Sequence, residues 1–250
     1  MLAVMMAWEL ASPHRRQDLP RLLRWSNTFA LVALDTALVR LAFPLAAVGA
    51  AIWARDQGYG LFNLLNWPGW LEALLTLLAL DLAIWAQHRL FHAVPGLWRL
   101  HRMHHADPDV DTVTGLRFHP VEIILSMALK LCVVVALGAP AVAVLAFEVI
   151  LNACSLFNHA NIRLPARAER LVRLVLVTPD MHRVHHSVVQ AETDSNYGFT
   201  LPWWDHLFGT YCAAPLAGQD AVITGIGAFA APRDQWLDRL LLQPLRNKTD

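Results

Sequence analysis

His101-Arg102-Met103-His104-His105, HRMHH, sets the reading of this chain. Its three imidazoles stand at i, i+3 and i+4, which on a helix share one face with Cβ atoms about 5–6 Å apart. Core packing has no use for three polar rings there, whereas neutral imidazole is the commonest metal ligand. The same spacing returns in HRVHH, His182 to His186, and a looser pair, His88 and His92, stands at i and i+4 in HRLFH.

Outward from these boxes the chain is apolar. It is 250 residues long, 56% hydrophobic and only 16% charged, with mean hydropathy +0.39. Soluble domains carry about 25% charge, so an all-α integral membrane protein is expected, read as one domain over 1–250. Formal net charge is zero, which gives no electrostatic footprint for nucleic acid. The three cysteines, Cys132, Cys154 and Cys212, form no CxxC, so neither a disulfide framework nor a cysteine-ligated zinc site is expected.

Four apolar runs are long enough for a hydrocarbon core of about 30 Å. They are Phe29 to Trp53, Trp70 to about Trp85 with helix continuing through HRLFH, Val121 to Leu137, and Ala141 to Phe157. Pro95-Gly96 and Gly138-Ala139-Pro140 punctuate them. With a cytoplasmic N-terminus, two hairpins bring every clustered histidine to the cytoplasmic face. The arginines choose the same side: Arg15 to Arg24, Arg89, Arg99, Arg102, Arg117 and Arg163 to Arg183 fall there, and the outer turns carry only Arg55.

The later spans carry polar stripes. Asp81, Trp85, His88 and His92 follow one helix face, as do His119, Glu122, Ser126 and Lys130, and Glu148, Asn152, Ser155 and His159. Charges in a bilayer are costly, so these stripes face the bundle interior. Asp81 and Glu148 either accept the outward N–H of a ligating imidazole or pair with Lys130.

Ten of the twelve histidines lie at span ends or in boxes: His88, His92, His101, His104, His105, His119, His159, His182, His185 and His186. His14 and His206 stand alone and read as ordinary surface or structural residues. Ten imidazoles exceed one metal's needs, so two metals with four or five nitrogen ligands each are expected. Adjacent ring pairs point about 100° apart on a helix, so His104 and His105, like His185 and His186, are expected to divide between the two. Zinc, copper, iron and nickel all suit imidazole. HExxH, GxSxG, GxGxxG and the P-loop motif are absent. A dimetal oxygen site at the lipid–water boundary fits best. The alternatives are a zinc-dependent lipid hydrolase or isomerase and a histidine-rich metal transporter.

The chain resembles the fatty acid hydroxylase superfamily, also called the sterol desaturase family. The resemblance rests on HRLFH, HRMHH, RFHP with Glu122, FNHANIRLP, TPDMHRVHHS and TDSNYGFTLPWWDHLFGTY, and covers roughly residues 75 to 212. Only eight residues separate His92 from His101, unlike the wider spacing in acyl-CoA desaturases. The resemblance implies a transmembrane bundle under a cytosolic helical cap with two iron ions held by the ten histidines. It implies hydroxylation or desaturation of a C–H bond in a membrane lipid such as a sterol, carotenoid or fatty acyl chain. O2 is then the co-substrate, and a separate cytochrome b5-like protein or a ferredoxin and its reductase is the electron donor. Ser155 stands where some relatives carry a further histidine. Asp194, Asn196 and Tyr197 match a family motif and are read as supports for the cap or for ligating imidazoles. The Ala-, Leu- and Arg-rich composition points to a bacterial inner membrane.

Overall fold

A computed structural model of the chain describes residues 1–65 and 67–247. The described residues are helical, with a single isolated β-bridge between Ser187 and Thr224. In chain order the helices are α1 (Leu2–Ala11), α2 (Arg21–Ala42), α3 (Ala46–Asp56), α4 (Leu61–Leu65), α5 (Gly69–Ala93), α6 (Pro95–His105), α7 (Pro120–Leu137), α8 (Ala141–Asn158), α9 (Ala166–Val172), α10 (Pro179–His185), α11 (Gln190–Thr193), α12 (Trp203–Phe208) and α13 (Leu237–Leu242).

Four segments are long and apolar enough to cross a membrane: Arg21–Leu65, Gly69–Ala93, Pro120–Leu137 and Ala141–Asn158. Only 17–39% of each is buried within the protein, so most of their apolar surface faces outward. In water that surface would drive aggregation. In a bilayer it is the lipid contact, and the chain is a multi-pass integral membrane protein.

The first segment differs in its bounds from the apolar run Phe29 to Trp53 read as one span. It starts earlier, at Arg21, and breaks between α2 and α3. Pro44 is the cause. The residue before a proline is pushed out of the helical region, and Phe43 sits at φ −132°, ψ 74°. Ala46 then restarts the helix from φ +51°. Broken helix at membrane depth is tolerated where it lines a cavity, and Phe43, Pro44 and Ala46 do line one.

Van der Waals packing holds the spans together, since lipid offers no hydrophobic drive between them. Ala47 and Ala51, one turn apart on α3, let it approach α7 and α8 closely. Leu80 and Ile84 of α5, Val134 of α7 and Phe147 of α8 fill the rest of that core. The two outer turns touch through backbone: a Cβ on Gly60 would lie 2.0 Å from the Gly138 nitrogen, and Gly60 sits at φ +97°. Glycine is therefore required there. Arg55 and Glu72 close the same end at 2.8 Å.

At the opposite end, α5 and α6 are two helices rather than one. Val94 is extended between them, and Pro95 occupies the first position of α6, where a missing N–H costs nothing. HRMHH forms the last turn of α6. The following loop returns over α2 through Arg24, which is 2% exposed and bonds Asp107 and Asp111.

Candidate metal centre

Four helix ends deliver the histidines. α5 brings His88 and His92, α6 brings His101, His104 and His105, His159 caps α8, and α10 with its C-cap brings His182, His185 and His186. Nine imidazoles fall into two groups whose potential ligand atoms lie within 4.8 Å of one another. His88, His92, His101, His105 and His185 form one; His104, His159, His182 and His186 form the other. Each adjacent pair is split: His104 from His105, and His185 from His186. The helical turn makes this unavoidable, and it ties the two groups to one scaffold.

Proton positions show why these groups suit cations. His88 Nδ1–H donates to the Tyr197 carbonyl at 2.7 Å, and His185 Nδ1–H to the Ser195 carbonyl at 2.7 Å. His101 Nδ1–H donates to Glu122 Oε1 at 2.7 Å. In the second group, His104 Nδ1–H donates to the Arg117 carbonyl at 3.2 Å and His159 Nδ1–H to the Ser155 carbonyl at 2.7 Å. A neutral imidazole carries one proton, so each of these rings turns a bare Nε2 lone pair inward. Those lone pairs meet. Nε2 of His88 lies 3.0 Å from that of His101 and 3.0 Å from that of His185, and the His104 and His159 pair is also 3.0 Å apart. Lone pairs cannot bond one another, but a cation between them satisfies all at once. His92 Nε2 and both nitrogens of His186 have no other partner among the described residues.

Burial keeps the rings neutral. It lowers the pKa of His101, His104, His105, His182, His185 and His186 well below the ordinary imidazole value, and neighbouring imidazoles push the same way. Burial brings His159 down to about 4. Neutral rings are the ligating form. The donor set is a pair of all-nitrogen groups with carboxylate support, suited to a dimetal site.

The surrounding shell orients the rings. Asn196 sits at φ +50°, a conformation asparagine tolerates, and its side chain bonds the Met181 carbonyl at 3.0 Å and the Cys212 N–H at 2.9 Å. That turn aims the Ser195 and Tyr197 carbonyls at His185 and His88. Asn196 thus acts through backbone rather than on a histidine. Asp194 Oδ1 accepts from His92 Nδ1 at 3.3 Å. Gly115 packs so tightly that a Cβ would meet the Ser155 carbonyl at 2.6 Å and His159 Nδ1 at 3.1 Å. Ser155 itself donates to the Gly115 carbonyl at 2.9 Å.

Three of the candidate residues lie elsewhere. Asp81 accepts from Trp204 Nε1 at 2.8 Å and from the Leu201 N–H at 3.4 Å, holding the cap loop to α5. Glu148 pairs with Lys130 at 2.6 Å, the second of its two expected roles. His119 belongs to neither group. It is the N-cap of α7: Nδ1 accepts from the Val121 N–H at 3.2 Å and Nε2–H donates to the Leu241 carbonyl at 3.2 Å. Both nitrogens are spent, and the Pro120 that follows marks the cap in sequence. His119→Ala is therefore expected to cost about 1 kcal/mol of stability, the usual value of a cap. Metal content should be unchanged; a thermal melt with a metal count on the purified variant checks both.

Two supports escaped the sequence reading. Glu122 reaches His101, although its place in the stripe with His119 marked its face. Asp205 accepts from Trp85 Nε1 at 3.0 Å and from the Tyr197 and Gly198 N–H groups at 2.9 and 2.8 Å, fixing the turn that serves His88. Long-range partnerships of this kind leave no mark in local spacing.

The model of the family described as "Fatty acid hydroxylase" matches residues 73–210. The ornithine lipid hydroxylase OlsE of Rhizobium tropici is 31% identical over 190 residues, which is 76% of this chain and 56% of that protein. The chain thus spans little more than half the length of this curated relative. No solved structure matches. All nine converging histidines lie inside the matched stretch, and on this agreement of sequence and geometry the chain belongs to the fatty acid hydroxylase family.

Proposed function

We propose that the chain is an O2-dependent di-iron hydroxylase of a membrane lipid. The observation that carries this reading is a cavity of about 470 Å³ lined by His88 and His101 that reaches the α2–α3 break within the apolar span. A lipid group can therefore lie beside the first histidine group without leaving the membrane. The family supports iron, which the nitrogen-rich donor set can hold, and the name of the R. tropici relative supports hydroxylation over desaturation.

Iron bound in the two groups would supply O2 activation and the oxidising power for a C–H bond. The chain's own residues do the rest. Backbone carbonyls and Glu122 hold the outward N–H groups, which fixes ring direction and raises ligand basicity. The nine buried or nearly buried rings keep bulk water away from the reacting end of the cavity. In the net reaction one oxygen atom enters the C–H bond and the other leaves as water, with two electrons and two protons supplied from outside. A small redox protein, cytochrome b5-like or a ferredoxin with its reductase, is the proposed donor. The arginine-rich loops around the site support a cytoplasmic orientation, and the composition supports a bacterial inner membrane.

The test uses purified protein in nanodiscs. Iron filling both groups and 18O from 18O2 appearing in a lipid only when reductant is supplied is the expected result. Turnover with zinc in both groups and without O2 would instead establish the hydrolase or isomerase alternative and overturn this one.

A further inference from the structure

Helices α9 and α12 carry an apolar face that the bundle leaves bare. Leu171, Leu174 and Val175 follow i, i+3 and i+4 spacing through the end of α9 and the turn after it, and the two leucines are 67% and 63% exposed. Trp203, Leu207 and Phe208 are exposed on α12. The two sets are joined. Trp203 Nε1–H donates to the Leu174 carbonyl at 2.8 Å, and the Val177 N–H to the Thr200 carbonyl at 2.9 Å.

Depth says what covers this ridge. Trp204 and Leu201 bond Asp81, and Phe208 stacks on Trp85 with ring centroids 4.6 Å apart. Asp81 stands seven residues before His88 on α5, which at 1.5 Å per residue is about 10 Å towards the middle of the span. On its inner side Trp204 shares an apolar groove with Leu78 and Leu82 of α5 and with Phe62 and Trp67 from the outer end of the bundle. Helix α12 therefore lies alongside the apolar part of α5, below the level of the histidines. A soluble protein does not reach that depth, whereas acyl chains fill it. Helices that lie in a membrane surface sink their apolar face about 5–10 Å into the boundary between headgroups and chains, which matches the depth of α12.

Charge identifies the headgroup. Arg167 and Arg170 stand four residues before Leu171 and Leu174, so the apolar ridge begins with two guanidinium groups. Both are exposed and make no ion pair among the described residues, whereas Arg163 pairs with Asp220 and Arg173 with Glu169. An arginine at an interface lays its stem along apolar surface and keeps its charge in the polar layer. Its planar fork matches the oxygens of a phosphate.

We propose that the α9–α12 face is a seat for anionic phospholipids in the leaflet on the histidine side. Its ridge lies among the acyl chains, and Arg167 and Arg170 lie on the lipid phosphates. The seat bears on the metal centre through Asp205 of α12, which fixes the turn whose Tyr197 carbonyl holds His88. It requires no particular reaction at the metals.

Two measurements on the full chain in nanodiscs test it. In the first, the three cysteines are changed to alanine, and a single cysteine carrying a bimane dye is introduced by Leu174→Cys, by Leu207→Cys or, as a control in water, by Asp220→Cys. Brominated acyl chains should quench the dye at 174 and 207 but not at 220, and aqueous iodide should do the reverse. The second needs no cysteine substitution. Native mass spectrometry of the unaltered protein should show phosphatidylglycerol retained over phosphatidylcholine. Arg167→Gln with Arg170→Gln should cut that preference at least about fivefold, the effect of roughly one arginine at an anionic surface. Iodide quenching at 174 and 207 would overturn the proposal. Shielding from both quenchers, the mark of a second copy or a protein partner on the ridge, would overturn it too. So would a lipid preference that the double variant leaves unchanged.

Discussion

His104→Ala is expected to empty the second metal group and lower turnover by at least about 10³-fold, beyond the 10–100-fold typical of residues that only support ligands. His104 is one of four imidazoles in that group. Its Nδ1–H is held by the Arg117 carbonyl, and its neighbour His105 belongs to the other group, so no spare ring stands beside it. The first group has five imidazoles, one more than the second, and the partner that orients His92, Asp194, is partly exposed and 3.3 Å away. His92→Ala should therefore retain both metals and lose less activity. The metal-free protein provides a second readout. A buried large-to-small substitution costs about 2–5 kcal/mol, but His104→Ala also removes the 3.0 Å approach of its lone pair to that of His159. In metal-free protein its stability cost should fall below that range, and in metal-loaded protein it should exceed it. Metal analysis, turnover and melts with and without metal decide the matter. A variant that keeps both metals would refute the grouping.

The boxes were legible because a metal site repeats itself in sequence. Ligands must come from rigid elements, rigid elements here are helices, and helices impose spacings of three and four. The division of His104 from His105 follows from the same geometry. The number of spans was equally legible, since a bilayer sets their length. The break at Pro44 was visible as a proline, but not as a break: prolines persist in membrane helices when neighbours accept the disturbance, and the cavity behind α2 leaves no local trace. His119 misleads because its residue type matched the boxes while its position, just before Pro120, matched a cap. Glu122 and Asp205 depend on partners 21 and 120 residues away, His101 and Trp85. Such pairings belong to the folded arrangement and not to any stretch of chain.

Arg24→Met is expected to destabilise the protein by about 3–5 kcal/mol, the usual cost of leaving one partner of a buried ion pair alone. Arg24 Nε and Nη2 grip Asp107 at 2.9 and 2.8 Å, and Nη1 holds Asp111 at 2.9 Å. All three side chains are 1–2% exposed, so water cannot replace the lost guanidinium. Burial opposes ionisation of Asp107, yet Arg24 and Arg117 overcome it and hold its pKa below the usual carboxylate range. The sign follows from that direction. The folded value lies below the unfolded 3.8, so this stabilisation is present at neutral pH and is lost as pH falls below about 4. The damage should reach the metals unequally. Asp111 caps the turn Thr112–Leu116, accepting from the Val113 N–H at 3.0 Å. That turn carries Gly115 against His159 and leads to the Arg117 carbonyl that holds His104. Loss of Arg24 therefore loosens the second group, while the first, anchored by the Ser195–Tyr197 turn, keeps its supports. Arg24→Lys keeps the charge but cannot grip two carboxylates at once, and it should recover only part of the loss. Adding Asp107→Asn to Arg24→Met removes one of the two stranded charges and should restore part of the stability relative to Arg24→Met alone. If the double variant is no more stable than the single one, the buried carboxylate is not what Arg24 compensates.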